Sequence, residues 1–404
     1  MKLLVVNHYA GGPRLGMEYR PHYLAHEWVR AGHRVQIVGA TFSHLRTRQP
    51  AAGDEVIDGV AYRWLPTPAY DRNGVARARN IAAFLSRLWQ EAPRLARDFA
   101  PDVVVASSTY PLDIWVARRL ARLAGAKLVY EVHDLWPASP IELGGMSPRH
   151  PFIRLCQKAE DDACRDADVV ISMLPKVADH LAAHGLDLRK LHIVPNGISV
   201  DEWQGEPAAL RADLAAHVAQ ARAAGRVVVG YAGSHGLPNA LDVLLDAAKL
   251  MRGDAVAFVL VGDGLEKARL AQRVAAEAIA NVALFDPVPK AQIPALLAAL
   301  DVAYIGWLRV PIYRFGIGPN KLMDYMMGGC AVLHSVDAGN DPVAEAGCGL
   351  TVAPESPAAV ADGVRRLAAL PATERRAMGE RGRAFVLATR TYPVLARRFI
   401  EAVA

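Results

Sequence analysis

The 404-residue sequence predicts an α/β protein of two doubly wound parallel-sheet domains, and three observations carry that expectation. The length exceeds what one hydrophobic core ordinarily supports, so two domains of roughly 200 residues are expected. Short Val/Ile/Leu runs alternate with amphipathic segments, as parallel strands do when helices cover both faces of their sheet. The alternation pauses once, over Ser199 to Gly225, and then starts again. These breaks place one domain at 1–200, a second at 201–385, and a closing helix at 386–404 that packs back on the first. Two Rossmann-like units in tandem also imply a cleft between them, faced by the carboxyl ends of the strands, where such folds take ligands.

In the first half, "KLLVVN" has too few apolar residues for a signal-peptide core and reads as a buried strand. "MEYRPHYLAHEWVRAGH" keeps its apolar residues on one face and stops near Gly32, as a helix does. "RVQIVGA", "PDVVVASS", "KLVYEVHD", "DVVISML" and "KLHIVPNGI" follow as strands. Between them lie the helices "PLDIWVARRLARLAG", "PFIRLCQKAEDDACRDA" and "KVADHLAAHG". The second half repeats the scheme, with strands "RVVVGYAGS", "VAFVLVGDG", "VALFDPVP", "DVAYIGW" and "AVLHSV" and amphipathic segments between them.

Composition narrows the class. With 52% hydrophobic and 22% charged residues the chain is globular, and no stretch approaches the roughly 20 apolar residues of a spanning helix. Cys156, Cys164, Cys330 and Cys348 show no metal-ligand spacing, which predicts reduced thiols, a cytoplasmic protein and no metal site. The net charge of +5 lies in the first half: residues 1–200 hold 25 Lys+Arg against 20 Asp+Glu, and 201–404 hold 21 against 21. Arg72 to Arg97 and Ser147 to Lys158 concentrate it, mixing Arg with Phe, Leu or Trp at helical spacing. Such helices suit an anionic membrane face, or are ordinary amphipathic helices with Arg on the wet side. The aromatic-basic sheet motif and basic tail of a nucleic-acid binder are missing.

Several stretches carry candidate chemistry. In "YRFGIGPNKLMDYMMGG", Gly316 and Gly318 permit tight turns and Pro319 suits the first position of a helix. The amides of Asn320 and Lys321 would then sit at the positive helix end, beside the Lys321 ammonium, which is how a phosphate is held. Asp324 is three residues on, nearly on the same face; the plainer reading is a capped surface helix with a weak Lys321–Asp324 pair. Gly12 and Gly16 lie in a loop after the first strand but do not make G-x-G-x-x-G, so the nicotinamide-dehydrogenase signal is weak. His133 and Asp134 end a buried strand, where His133 could bond a sugar hydroxyl and Asp134 could fix its tautomer or bind acceptor hydroxyls; a backbone-bonded His is the alternative. Glu131 points away from Val132 and could reach solvent or cleft. Gly233 and Ser234 stand where a strand turns into a helix, a place for a diphosphate. "LVGDG" reads as structural, and Arg309 and Arg314 are anion partners or solvated loop charges.

Together, the Gly loop, "EVHDLWP", "VPNGI", "GYAGS", "FVLVGDG" and "GPNKLMDYMMGG" resemble the retaining glycosyltransferases of family 4, which have the GT-B fold. The resemblance is nearest to the bacterial surface-polysaccharide branch, whose members transfer amino or deoxyamino sugars such as N-acetylfucosamine from UDP-sugars. It implies a metal-independent transferase with no cofactor beyond its UDP-sugar co-substrate, and a lipid-linked or saccharide acceptor met at the inner membrane face. It also implies diphosphate contacts from Asn320 and Lys321, ribose contacts from Asp324, and a place for His133 near the transferred sugar. The donor set is completed by Gly12, Gly16, Gly233, Ser234, Arg309, Arg314 and Gly318, with Asp134 and Lys321 joining His133 as catalytic residues. The sequence departs from the family where a first Glu would stand, at Gly316, and where an Arg and a Lys would follow "AGS", at Ser234 and Asn239. A nucleotide-sugar 2-epimerase and a catalytically inactive sugar-nucleotide binder are the alternatives.

Overall fold

In a computed structural model, which describes residues 1–16, 19–71 and 74–404, the apolar runs of the first half form one eight-stranded sheet. Its strands are β1 (Lys2–Val6), β2 (Arg34–Ala40), β3 (Gly53–Ile57), β4 (Val60–Leu65), β5 (Val103–Ala106), β6 (Lys127–Val132), β7 (Val169–Ser172) and β8 (Leu191–Ile193). Their order is β3-β4-β2-β1-β5-β6-β7-β8, parallel except for the β3–β4 pair. β1, β5 and β7 are almost wholly buried, as expected of strands covered on both faces. The sequence reading passes over the β3–β4 hairpin. Its turn is Asp58–Gly59, with φ of 50° and 82°, the left-handed pair that a two-residue hairpin turn requires.

The second half forms a six-stranded, all-parallel sheet in the order β11-β10-β9-β12-β13-β14. These strands are β9 (Val227–Ala232), β10 (Val256–Val261), β11 (Val282–Phe285), β12 (Val302–Gly306), β13 (Ala331–Ser335) and β14 (Gly349–Thr351). The chain divides into Met1–Asn196 with Tyr392–Ala404, and Gly197–Thr391. Both borders differ from the expected ones, at 200/201 and 385/386. The Ile198 N–H donates to the Arg390 carbonyl at 2.9 Å, which fastens both crossings of the chain to the second unit. Residues 386–389 continue the helix Ala372–Thr389 of that unit. The pause in the pattern is also part of it: the helix Ala212–Ala223 buries Leu214 and Val218.

The C-terminal helix Tyr392–Val403 belongs to the first unit. There the Trp28 indole N–H donates to the Ala396 carbonyl at 3.1 Å, and the Trp28 and Phe399 rings lie 4.8 Å apart. All four cysteines are buried and unpaired with one another. Among the described residues no helix is long and apolar enough to cross a membrane.

Candidate functional site

In the second unit the site is built at the carboxyl end of β9. Register pairs Ala232 with Val261, so the turns after β9 and β10 lie side by side. They are pressed together: a Cβ on Gly262 (φ +154°) would sit 1.8 Å from the Gly233 carbonyl oxygen, and one on Gly264 2.6 Å from that of His235. This is the structural role expected of "LVGDG". Gly233 itself has φ +149°, and a Cβ there would lie 3.4 Å from the Lys321 ammonium.

The helix Asn320–Met327 is fastened to the same strand end. The buried Tyr325 hydroxyl accepts from the Ala232 N–H at 2.8 Å and donates to the Ala232 carbonyl at 3.0 Å. Lys321 is one turn earlier on the same face, and so is carried to Gly233. Its ammonium donates to the Tyr231 hydroxyl at 2.9 Å and to the Asn239 side-chain oxygen. Both partners are themselves held, since the Tyr231 hydroxyl and the Asn239 amide donate to the Ser234 carbonyl at 2.6 and 2.9 Å. The cation is thus placed by neutral groups, and burial pulls its pKa from 10.5 down to about 8.

The Lys321–Asp324 pair of the plainer reading is not what Lys321 makes. Asp324 lies near Lys290 and Glu202 instead, and burial lifts its carboxyl from 3.8 to about 6. Pro319 is the N-cap rather than the first helical residue, and Asn320, exposed, opens the helix. Of the two glycines before it, Gly316 has a positive φ (+104°), whereas Gly318 needs none. Ile317 is clamped by Asn340, which accepts from its N–H at 2.7 Å and donates to its carbonyl at 3.1 Å. Ser234 is exposed beside Gly233. Arg309 and Arg314 line a recess of about 480 Å³ with Asp337, and Lys321 is not part of its wall. His235, fully buried, has no hydrogen-bond partner on either ring nitrogen among the described residues.

In the first unit the register Val6–Ala106–Tyr130 brings Asn7, Ser107 and Glu131 level at the carboxyl ends of β1, β5 and β6. Glu131 is the centre of a closed network. It accepts from Arg20 Nε at 3.0 Å and the Ser107 hydroxyl at 2.6 Å, and His133 Nε2 lies 3.1 Å away. Burial alone would raise its pKa; Arg20, followed by His133 and Ser107, holds it well below the usual carboxylate range. Two expectations change here. Glu131 is buried rather than turned to solvent, and it, not Asp134, faces the His133 ring. The Asp134 carboxylate accepts from the Leu135 N–H and the Ser139 hydroxyl, at the start of the helix Ala138–Glu142.

The Gly loop changes as well. The Gly12 N–H donates to the Gly16 carbonyl at 3.2 Å and the Gly16 N–H to that of Gly12 at 2.9 Å. The loop is closed on itself and packed on Thr47, whose N–H lies 2.9 Å from where a Gly16 Cβ would stand. Neither amide is left to hold a phosphate. Met17 and Glu18, at the start of the expected first helix, lie outside the described residues, as do Arg72 and Asn73 of the first basic stretch.

Residues 16–197 match the family model described as a glycosyl transferase 4-like domain, and residues 226–369 that described as glycosyl transferases group 1. The chain belongs to the family 4 glycosyltransferases. The chain is 25% identical over 264 residues to WcaI of Escherichia coli (strain K12), named as a glycosyl transferase of colanic acid biosynthesis. That alignment spans 63% of this chain and 63% of the relative. Among solved structures it superposes on a sucrose-phosphate synthase from Thermosynechococcus elongatus with a TM-score of 0.73 at 16% identity, over 99% of this chain and 97% of the other. Anabaena HepE in complex with UDP gives 0.67 at 16% identity, over 99% of each chain. These likenesses establish the GT-B fold.

Proposed function

We propose that this glycosyltransferase moves a sugar, an N-acetylated amino or deoxyamino sugar, from a UDP-sugar to a lipid-linked saccharide in bacterial surface-polysaccharide biosynthesis. One observation carries the donor half of the reading: the Lys321 ammonium, with a lowered pKa, stands beside the Gly233 turn and one residue inside a helix N-terminus. Backbone amides at a helix N-terminus carry the positive end of the helix dipole. A diphosphate there would meet amides, helix dipole and ammonium at once, and its charge would return the lysine to full protonation. The same groups would stabilise negative charge on the departing UDP, without need of a divalent ion. Asp324 is assigned to the ribose hydroxyls. UDP in the neighbouring HepE structure supports the choice of nucleotide.

His133 is assigned to the transferred sugar, oriented by Glu131. The acceptor is assigned to the first unit and an anionic membrane surface. Supporting this are exposed apolar residues on its two basic helices, Trp89 at 45% and Leu155 at 44%. Incubation of the enzyme with a UDP-sugar series and a lipid extract, without added Mg²⁺ or Mn²⁺, should give UDP release that depends on acceptor, and a product that keeps the donor's anomeric configuration. Altered sugar nucleotide without acceptor would assign the chain to the epimerases instead.

A further inference from the structure

Two helices of the first unit gather a second set of chemically competent side chains, apart from the His133 network. Gln157, Glu160 and Asp161 share one face of the helix Pro151–Asp166, at spacings of three and four residues. His180 and His184, four apart, project from the helix Ala178–Ala183 and its C-cap, with ring centroids 4.6 Å apart. One ligand atom from each of Glu160, His180 and His184 lies within 4.8 Å of the others.

Polar atoms crowd closely in this cluster. Gln157 Nε2 lies 2.9 Å from Glu160 Oε2, 2.9 Å from Asp161 Oδ1 and 2.9 Å from His184 Nδ1. An amide nitrogen has two hydrogens for those three neighbours. His184 Nδ1 is also 2.9 Å from Asp161 Oδ1, and it cannot donate there and accept from Gln157 together. Glu160 is fully buried, and among the described residues no Lys or Arg pairs with it; its ionic partner is His180, at 3.0 Å. A buried carboxylate needs a positive partner. With Nδ1 of His184 turned to Asp161, its other ring nitrogen is the one that can ligate, and a cation beside Glu160 and His180 adds positive charge at the buried carboxylate.

We propose that Glu160, His180 and His184 bind a divalent transition-metal ion of the zinc class, with Asp161 orienting the His184 ring. Two imidazoles and a carboxylate are a zinc-type donor set with an open fourth position, whereas Ca²⁺ and Mg²⁺ favour all-oxygen shells. Bonds of about 2.0–2.2 Å would draw the three ligand atoms together by small side-chain rotations. A carboxylate behind a metal-bound imidazole is a recurrent orienting device. The ion would pin the short helix Ala178–Ala183, which buries only Leu181, against its longer neighbour. Its role is structural, and it supplies nothing to sugar transfer. The spacing was missed in sequence because Glu160 and His180 are separated by β7, so no compact ligand motif exists.

The test is calorimetric titration of Zn²⁺ into tag-free, chelator-stripped enzyme, with thermal unfolding followed in parallel. The expected result is one equivalent bound and a raised Tm. His180→Gln and His184→Gln should each weaken binding at least tenfold, the double variant should abolish it, and His192→Gln should leave it unchanged. Should those variants fail to fold, Co²⁺ titration of the wild-type enzyme should show the visible bands of a tetrahedral nitrogen-ligated site. No saturable Zn²⁺ binding, binding indifferent to both histidines, or a purely octahedral Co²⁺ spectrum would each reduce the cluster to two ordinary His–carboxylate pairs.

Discussion

Lys321 concentrates the residue-scale argument. Its folded pKa, about 8, lies below its ordinary 10.5, so the folded protein gives up this proton before the unfolded chain does. Stability from this group therefore improves as pH rises from about 8 toward 10.5, while diphosphate affinity, which needs the ammonium, falls over the same range. UDP affinity measured from pH 6.5 to 9.5 should decline above about pH 8, and a flat profile would remove Lys321 from the phosphate. Asp324 has the opposite sign: its carboxyl, raised to about 6, is charged at neutral pH at a cost to stability that disappears on acidification toward 4. Lys321→Ala should lower transfer by on the order of 10²–10³-fold, the size expected for one lost anion-stabilising donor, with little change in Tm. Glu131→Gln should act on the fold as well as on His133. It strips the buried Arg20 of its counter-charge, and denaturant unfolding should register a loss of about 3–5 kcal/mol. The placement of Lys321 and Asp324 in the first turns of a helix, and of His133 just after a buried strand, was legible in sequence because each stands inside a local pattern. Arg20, Tyr231 and Tyr325 were not, because their partners lie 111, 90 and 93 residues away and only the sheet register joins them.

At the scale of elements, paired glycine turns and a returning helix matter most. Gly262→Ala would drive a Cβ into the Gly233 carbonyl and hold a strained φ, costing on the order of 1–3 kcal/mol from the backbone alone. The turn that cradles Lys321 would move with it, so UDP affinity should fall together with Tm. Unchanged UDP affinity would separate the two turns. The C-terminal helix was read as returning to the first domain from its amphipathic pattern alone; its start at Tyr392 was not readable, since 386–389 continue a helical sequence without a break. Phe399→Ala empties a fully buried position against Trp28 and should destabilise the first unit by about 3–5 kcal/mol in denaturant unfolding. The β3–β4 hairpin escaped the sequence reading because β3 is exposed along four of its five residues and carries no apolar run. Only the Asp58–Gly59 turn signals it.

Over the whole molecule, the parallel strands of both sheets except β4 and β14 were foreshadowed by continuous Val/Ile/Leu runs, which few other structures bury so completely. Those runs fix fold class and not ligand chemistry, which resides in the turns. There the outcome is divided: the Gly233 turn stands at a cation, while the Gly12–Gly16 loop spends its amides on itself. Spacing alone does not distinguish a glycine loop open to a phosphate from one closed by its own bonds. The central claim is that UDP is held by the second unit at Gly233 and Lys321. The most direct test is amide hydrogen exchange of the full chain with and without saturating UDP. Protection should appear over Gly233–Asn239 and Pro319–Leu322, with Gly12–Gly16 unchanged. Protection at Gly12–Gly16 with none around Lys321, or no protection anywhere, would contradict the account.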